Sequence, residues 1–442
     1  MTKTIENCTC GKCTPTVSAR GKQVTVAEAV AGVNALVEKS RVADPNEGRT
    51  VVGMYLSPRG PDGSGGETLP GGGRGRIDRR TSAFKRTTAA RVRAIVHALR
   101  RSMSAPSHTL GVPSPRPPQE RMTTAFVFPG QGSQAVGMGQ ALAAASSAAA
   151  AVFDEADDAL GEPISQLAWE GPAEALDLTA NAQPALLATS IAYLAALRDR
   201  WAGTAVGAPR PAFAAGHSMG QYSALVAAGA LGFADAIRLV RERGRLMQAA
   251  GEGRPGRMAA IIGLEEGRLP ELLVAARLHG TFGVANRNSP GQIVVSGEQT
   301  AVEASLAIAR ELGARRAIEL PVSVAAHSPL MATAAEGMRD VLAEVEFADP
   351  DPPLLANADG RLLTTAEGCR NELVDHLTTG VDWTGAVERM VAAGVDTFIE
   401  IGPGRVLCGL IKRIAPDVEA IATDDPAAPD RLAIPLATTA TA

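Results

Sequence analysis

Residues 211–231 read PAFAAGHSMGQYSALVAAGAL. A short apolar run enters Gly216-His217-Ser218-Met219-Gly220, and a helical pattern follows with no spacer. This G-x-S-x-G turn constrains the whole chain, because it is built where a buried strand hands over to a helix too tightly for a Cβ on either glycine. The surrounding sequence must therefore supply a sheet that receives the strand and helices that cover it. The turn pushes the Ser218 hydroxyl out at the head of the helix. Free backbone N–H groups and the helix dipole favour developing negative charge there.

A serine hydroxyl is a poor nucleophile until a base takes its proton. Of the six histidines, His97 and His108 lie far upstream, His217 adjoins the serine and points away across the turn, and His279 follows a helix of a separate block. His327 and His376 remain. His327 ends an apolar stretch, PVSVAAHSPLM (321–331), read as the close of a buried strand at the edge of that block. The candidate base is therefore His327, with a hydrogen-bonded core histidine as the alternative.

From Met122 strand-like and helix-like segments alternate to about residue 416, which predicts an α/β fold with a mostly parallel sheet. Within it, RMAAIIG, a helix, FGVANRN, QIVVSG, a second helix and RRAIELPV spell β-α-β-β-α-β, the ferredoxin-like order. The expected organisation is a large subdomain of residues 122–249 and 321–416, a ferredoxin-like small subdomain of 250–320 inserted in it, and a flexible tail of 417–442. Residues 1–121 differ in kind. The first 120 carry 19 basic against 9 acidic side chains, although the whole chain has a net charge of −4. Helical patterns at 25–42 and 84–103 flank a Gly/Pro-rich stretch, SPRGPDGSGGETLPGGGRGR, expected to be disordered. A proline-rich linker closes the extension.

Five cysteines give no even disulfide framework. Cys8, Cys10 and Cys13 make a three-ligand cluster without a clear fourth, so no metal is expected. No run of 18 apolar residues or secretory pattern is present, and no nucleic-acid or membrane partner is implied. The expectation is a cytoplasmic, monomeric protein.

Five stretches together carry a family resemblance: FPGQGSQ (128–134), GHSMGQYSA (216–224), NRNSPGQIVVSG (286–297), the AHS at 326–328, and EIGPGRVLCGLIKRI (400–414). In order and spacing they closely resemble the malonyl-CoA:acyl carrier protein transacylases and the related acyltransferases of polyketide synthases. The resemblance covers about residues 122–415. MTTAFVFPGQGSQ also reads like a family member's own start, which makes Met122 an alternative initiation site. The resemblance implies an α/β-hydrolase-like large subdomain and a ping-pong reaction. Ser218, activated by His327, takes an acyl group from CoA and passes it to the phosphopantetheine thiol of a separate carrier protein, with no bound cofactor. It further implies an oxyanion hole from the backbone N–H groups of Gln131 and Met219. His327 is oriented by a backbone carbonyl near His376, where relatives often have glutamine. Arg243, 25 residues after Ser218, is implied as the partner of the free carboxylate of a malonyl group, rather than one more solvent arginine beside Arg238, Arg241 and Arg245. Gln221 stands where glutamate is more usual.

The residues before the histidine, Val324, Ala325 and Ala326, match the family's specificity segment. Two alanines there leave room beside the α-carbon, so the expected acyl unit is malonyl or an alkylmalonyl such as methyl- or ethylmalonyl. The extension and these alanines lean the reading towards polyketide biosynthesis. A housekeeping fatty-acid transacylase, an editing hydrolase of acyl-carrier thioesters and a non-catalytic docking protein are the rival readings. Arg243 weighs against the hydrolase, and the intact Ser218, His327 and Gln131 weigh against the docking protein.

Overall fold

The computed structural model describes residues 16–19, 22–25, 123–204, 207–322 and 324–433. In the extension two short strands, β1 (Thr16–Ala19) and β2 (Lys22–Thr25), pair antiparallel. Sequence pattern gave no element at 16–24, and Thr25, first residue of the helical pattern at 25–42, closes β2 instead. The remainder of that pattern, the Gly/Pro-rich stretch and the basic stretch at 84–103 lie outside the described residues.

The main unit opens with β3 (Thr124–Phe128), α1 (Ser147–Leu160) and the long α2 (Thr179–Ala202). Next come β4 (Phe213–Gly216), α3 (Gly220–Ala227) and α4 (Phe233–Gly253). The inserted block follows as β5 (Gly256–Ile262), α5 (Leu269–Ala276), β6 (Phe282–Ser289), β7 (Gln292–Glu298), α6 (Gln299–Glu311) and β8 (Arg316–Glu319). The chain continues through α7 (Ala332–Ala343), β9 (Leu354–Leu355), β10 (Leu362–Leu363), α8 (Ala366–Thr378), β11 (Val381–Asp382) and α9 (Trp383–Ala392). It ends with β12 (Thr397–Glu400), α10 (Val406–Ile414), β13 (Glu419–Ala422) and α11 (Ala428–Ala433).

The main sheet has the order β10-β9-β4-β3-β12-β13 and is parallel except for β10. Alternation along β3 shows how it is covered. Phe126 and Phe128 face a core that includes α1, α2, α4 and α7, while Ala125 and Val127 face one built on Trp383, Val387, Leu407 and Ile411. A parallel sheet buried on both faces follows from apolar residues at both parities. Because β3, β4 and β9 are adjacent and parallel, the loops at their carboxyl ends emerge side by side, where open α/β sheets bind ligands.

The second sheet has the order β11-β6-β7-β5-β8. Its last four strands are in ferredoxin-like order, and β5, β6, β7 and β8 pair antiparallel. The structure adds a strand from outside the block: β11 pairs parallel with β6, Val381 opposite Asn286. This sheet is thus completed by the large subdomain.

Two expectations are corrected. The tail does not begin at 417, because β13 extends the main sheet and α11 packs against α2, with Trp201 donating to the Leu432 carbonyl at 3.5 Å. Its short apolar runs find a sheet edge already waiting. Nor do residues 321–322 and 324–326 continue a strand: β8 stops at Glu319, and Pro321, lacking an N–H for the ladder, bends the chain away ahead of a turn at 326–327. His327 is presented from that turn with φ 59°.

Candidate active site

The elbow follows from the contacts of its glycines. A Cβ on Gly216 would sit inside the Gly220 carbonyl group, and one on Gly220 would collide with the Phe128 carbonyl of the neighbouring strand. With both absent, the chain reverses between β4 and α3 and holds Ser218 at φ 53°. A non-glycine residue in the left-handed region costs about 1–2 kcal/mol, so the surroundings must hold it there. Asn357 does so: its Oδ1 accepts the Ser218 backbone N–H at 2.9 Å, and its own N–H is fixed on Glu372 Oε1 at 2.6 Å. Asn357 follows β9, the strand on the far side of β4 from β3. Sequence reasoning missed it, since a lone asparagine after two leucines carries no local signal.

Gln221 locks the turn from beneath. Its Oε1 accepts the Gly216 N–H at 3.1 Å and its Nε2 donates to the Leu355 carbonyl at 3.0 Å. The amide uses one acceptor and one donor there, whereas an ionised glutamate would face the carbonyl with no proton to give.

Ser218 Oγ lies 2.8 Å from His327 Nε2, and His327 Nδ1–H donates to the His376 carbonyl at 2.6 Å. That second bond fixes the tautomer with a free lone pair on Nε2, the atom facing the serine. Burial, with the nearby Arg243 charge, pushes His327 down from 6.5 to about 3, against the opposing pull of the His376 carbonyl. The ring is therefore neutral near pH 7, ready to accept a proton. His217 turns away from the serine, as its place in the turn predicts, and its Nε2 meets Asn288 Oδ1 at 2.9 Å. Asn286 lies buried in β6 beside β11.

Among the described residues, the backbone N–H groups of Gln131 and Met219 have no protein acceptor, unlike those of Gly220 and Gln221, which bond back to His217 and Ser218. Gln131 lies in the loop after β3 and Met219 directly follows the serine. Both N–H groups thus belong to the same end of the sheet as Ser218.

Arg243, on α4, is 1% exposed. Its Nη2 lies 3.2 Å from Ser218 Oγ and 3.3 Å from His376 Nε2, and its Nη1 donates to Gln183 Oε1 at 2.6 Å. Its Nε has no partner among the described residues. The neighbouring arginines on the helix all meet carboxylates: Arg238 with Asp235, Arg241 with Glu162, Arg245 with Glu242. Among the described residues Arg243 has no acidic partner. A buried guanidinium held only by neutral groups is a costly arrangement unless an anion arrives.

Val324, Ala325 and Ala326 are all buried just before His327. Ala325 is small for another reason than the one its position suggested. Its methyl packs onto Gly256 at the start of β5, closely enough that a Cβ on that glycine would overlap it.

Among the described residues no cluster of three His, Cys, Asp or Glu side chains could hold a metal ion, and no helix is long and apolar enough to cross a membrane. Cys8, Cys10 and Cys13 lie outside the described residues.

Residues 125–423 match the model of the family described as acyl transferase domain. The malonyl CoA-acyl carrier protein transacylase of Bacillus subtilis is 45% identical over 303 residues, 68% of this chain and 93% of the relative. That of Escherichia coli K12 is 44% identical over 304 residues, 69% and 96% respectively. Among solved structures, an acyl-carrier-protein S-malonyltransferase from Bartonella henselae aligns with TM-score 0.67 and 43% identity, over 71% of this chain and 99% of its own. A malonyl-transacylase in complex with a holo type II polyketide synthase acyl-carrier protein aligns with TM-score 0.66 and 42% identity, over 70% and 98%.

Proposed function

The chain belongs to the acyl transferase domain family and is an acyltransferase of the malonyl-CoA–acyl carrier protein transacylase kind; from that premise we propose that Ser218, His327 and Arg243 move a malonyl group from CoA to the phosphopantetheine thiol of a separate carrier protein. The observation that carries the reading is the buried Arg243, without an acidic partner among the described residues, 3.2 Å from the Ser218 hydroxyl. The free carboxylate of a malonyl group supplies the missing anion. Two parallel charge-assisted bonds to one edge of a guanidinium suit a carboxylate, and Nε beside Nη2 offers such an edge.

In the first half-reaction Ser218 Oγ gives its proton to His327 Nε2 and attacks the thioester carbon. The carbonyl oxygen becomes an oxyanion, which in this reading accepts from the Gln131 and Met219 N–H groups. A donor of this kind contributes about 3–4 kcal/mol to the transition state. Collapse breaks the C–S bond, and the CoA sulfur leaves with the proton from His327. The second half-reaction runs the same steps in reverse, with the carrier thiol giving its proton to His327 and attacking the acyl-serine ester. Ser218 Oγ then recovers the proton. No further cofactor enters this scheme.

Ala326, small and adjacent to the base, supports acceptance of an α-methyl unit beside malonyl. Carriers of polyketide and of fatty-acid synthesis present the same phosphopantetheine thiol, so the acceptor is named by that chemistry. The test is the intact mass of the protein after incubation with malonyl-, methylmalonyl- and ethylmalonyl-CoA, with and without holo-carrier protein. One malonyl adduct is expected, absent in Ser218→Ala and discharged by the carrier. Absence of any adduct sinks the transferase reading, and discharge by water at the carrier-stimulated rate points to a hydrolase instead.

A further inference from the structure

His376 enters the site twice. Its carbonyl accepts the base's Nδ1–H, and its ring, fully buried, makes a separate set of contacts. Ring Nδ1–H donates to the Glu372 carbonyl one turn back on α8, at 2.9 Å. This bond commits the ring to the neutral tautomer whose free lone pair sits on Nε2. That lone pair meets Arg243 Nη2 at 3.3 Å, while Gln183 Oε1 takes Nη1 at 2.6 Å. The orientation of the guanidinium is thereby set from two sides of its own framework, by α8 and by α2. Both acceptors are neutral. A carboxylate in either place would hold the arginine as firmly but would cancel the charge that an incoming anion needs. A leucine would leave a buried N–H without an acceptor and let the planar group rotate.

We propose that the imidazole of His376 is a positioning residue that holds Arg243 oriented and electrostatically unspent for a dicarboxylic acyl group, so that one residue aligns the base through its backbone and selects the substrate through its side chain. The inference rests on the reading of Arg243 as the carboxylate partner. The lone pair is the operative feature, so glutamine, whose amide oxygen can reach the same N–H, is the conservative replacement. Asparagine is polar but one methylene too short.

The experiment measures acylation of Ser218 in the full chain by malonyl-CoA and by acetyl-CoA, which lacks the carboxylate. The proteins compared are the wild type, His376→Leu, His376→Gln, His376→Asn and Arg243→Ala. His376→Leu is expected to raise KM for malonyl-CoA by about tenfold or more, the effect of removing one acceptor from a charged donor. Acylation by acetyl-CoA should stay within about twofold, because the backbone carbonyl that aligns His327 is retained. His376→Gln should return KM for malonyl-CoA to within about threefold of the wild type. His376→Asn should behave like His376→Leu, and it provides the same comparison where the leucine variant does not fold. Malonyl and acetyl rates falling in parallel in both short variants would overturn the proposal, since that is what a purely structural role does. So would an unchanged malonyl KM in those variants while Arg243→Ala raises it. If Arg243→Ala itself leaves the malonyl KM unmoved, the carboxylate reading of Arg243 fails first.

Discussion

His327, which faces the Ser218 hydroxyl, is buried as a neutral ring, and this has a measurable thermodynamic consequence. Burial and the Arg243 charge lower His327 from 6.5 to about 3. Below pH 6.5 the unfolded chain binds a proton on this ring and the folded chain does not, until about pH 3. The stability contributed by the neutral ring is therefore complete above 6.5 and falls as the solution is acidified. Linkage gives a loss of about 2 kcal/mol between pH 7 and pH 5 for one such ring, and the figure changes little for any folded value below about 4. His376 and His217, also lowered by burial, act in the same direction. Glu372 acts in the opposite one. Burial raises it to about 7, so its folded form resists ionisation at pH 7, and acidification to pH 5 restores about 2 kcal/mol. Terms of both signs mix in the wild-type profile, and the informative quantity is a difference between proteins. Urea unfolding of the wild type and of His327→Gln at the two pH values isolates the ring. The wild type should lose about 2 kcal/mol more than the variant on going to pH 5, and Glu372→Gln should lose more than the wild type. Equal losses in the wild type and His327→Gln would refute the claim that the folded site excludes a proton from His327. The same neutral ring should let Ser218 acylation keep its rate down to pH 5, an outcome that would fail with it.

Two further outcomes test the packing around Ser218. Gly220→Ala drives a methyl into the Phe128 carbonyl and should destabilise the fold by about 3 kcal/mol or more, read as a lowered thermal midpoint together with lost acylation. Ala325→Val and Ala326→Val separate packing from selectivity. The first, pressed on Gly256, should lower the urea midpoint and leave the methylmalonyl-to-malonyl ratio unchanged, and the second should shift that ratio towards malonyl by about threefold to tenfold. A ratio that moves with Ala325 and not with Ala326 would place the pocket wall at the wrong alanine.

What could be read from the sequence was what a few neighbouring residues determine together. The elbow is local: two glycines, a serine and the apolar run before them mark strand, turn and helix, because so tight a reversal is open only where both positions lack a Cβ. The β-α-β-β-α-β order is also local, since alternation and turn residues mark each element. Illegible features belong to contacts between distant segments. β11 has only two residues and exists because the edge of β6 is open to it, and β13 exists because β12 leaves an edge of its own. Asn357 became part of the site because β9 lies beside β4, a fact of sheet order that no neighbouring residue encodes. Ala325 shows the reverse failure. Its smallness was visible and invited a functional explanation, but the partner that requires it, Gly256, lies 69 positions away in sequence. Gln221 shows how such a contact gives a residue meaning. Alone it is a glutamate that lost its charge, whereas between the Gly216 N–H and the Leu355 carbonyl it is the side chain whose donor and acceptor both fit. The same logic applies at Arg243. Four arginines within eight residues are indistinguishable by composition, and only the positions of three carboxylates reveal which guanidinium is left without one among the described residues.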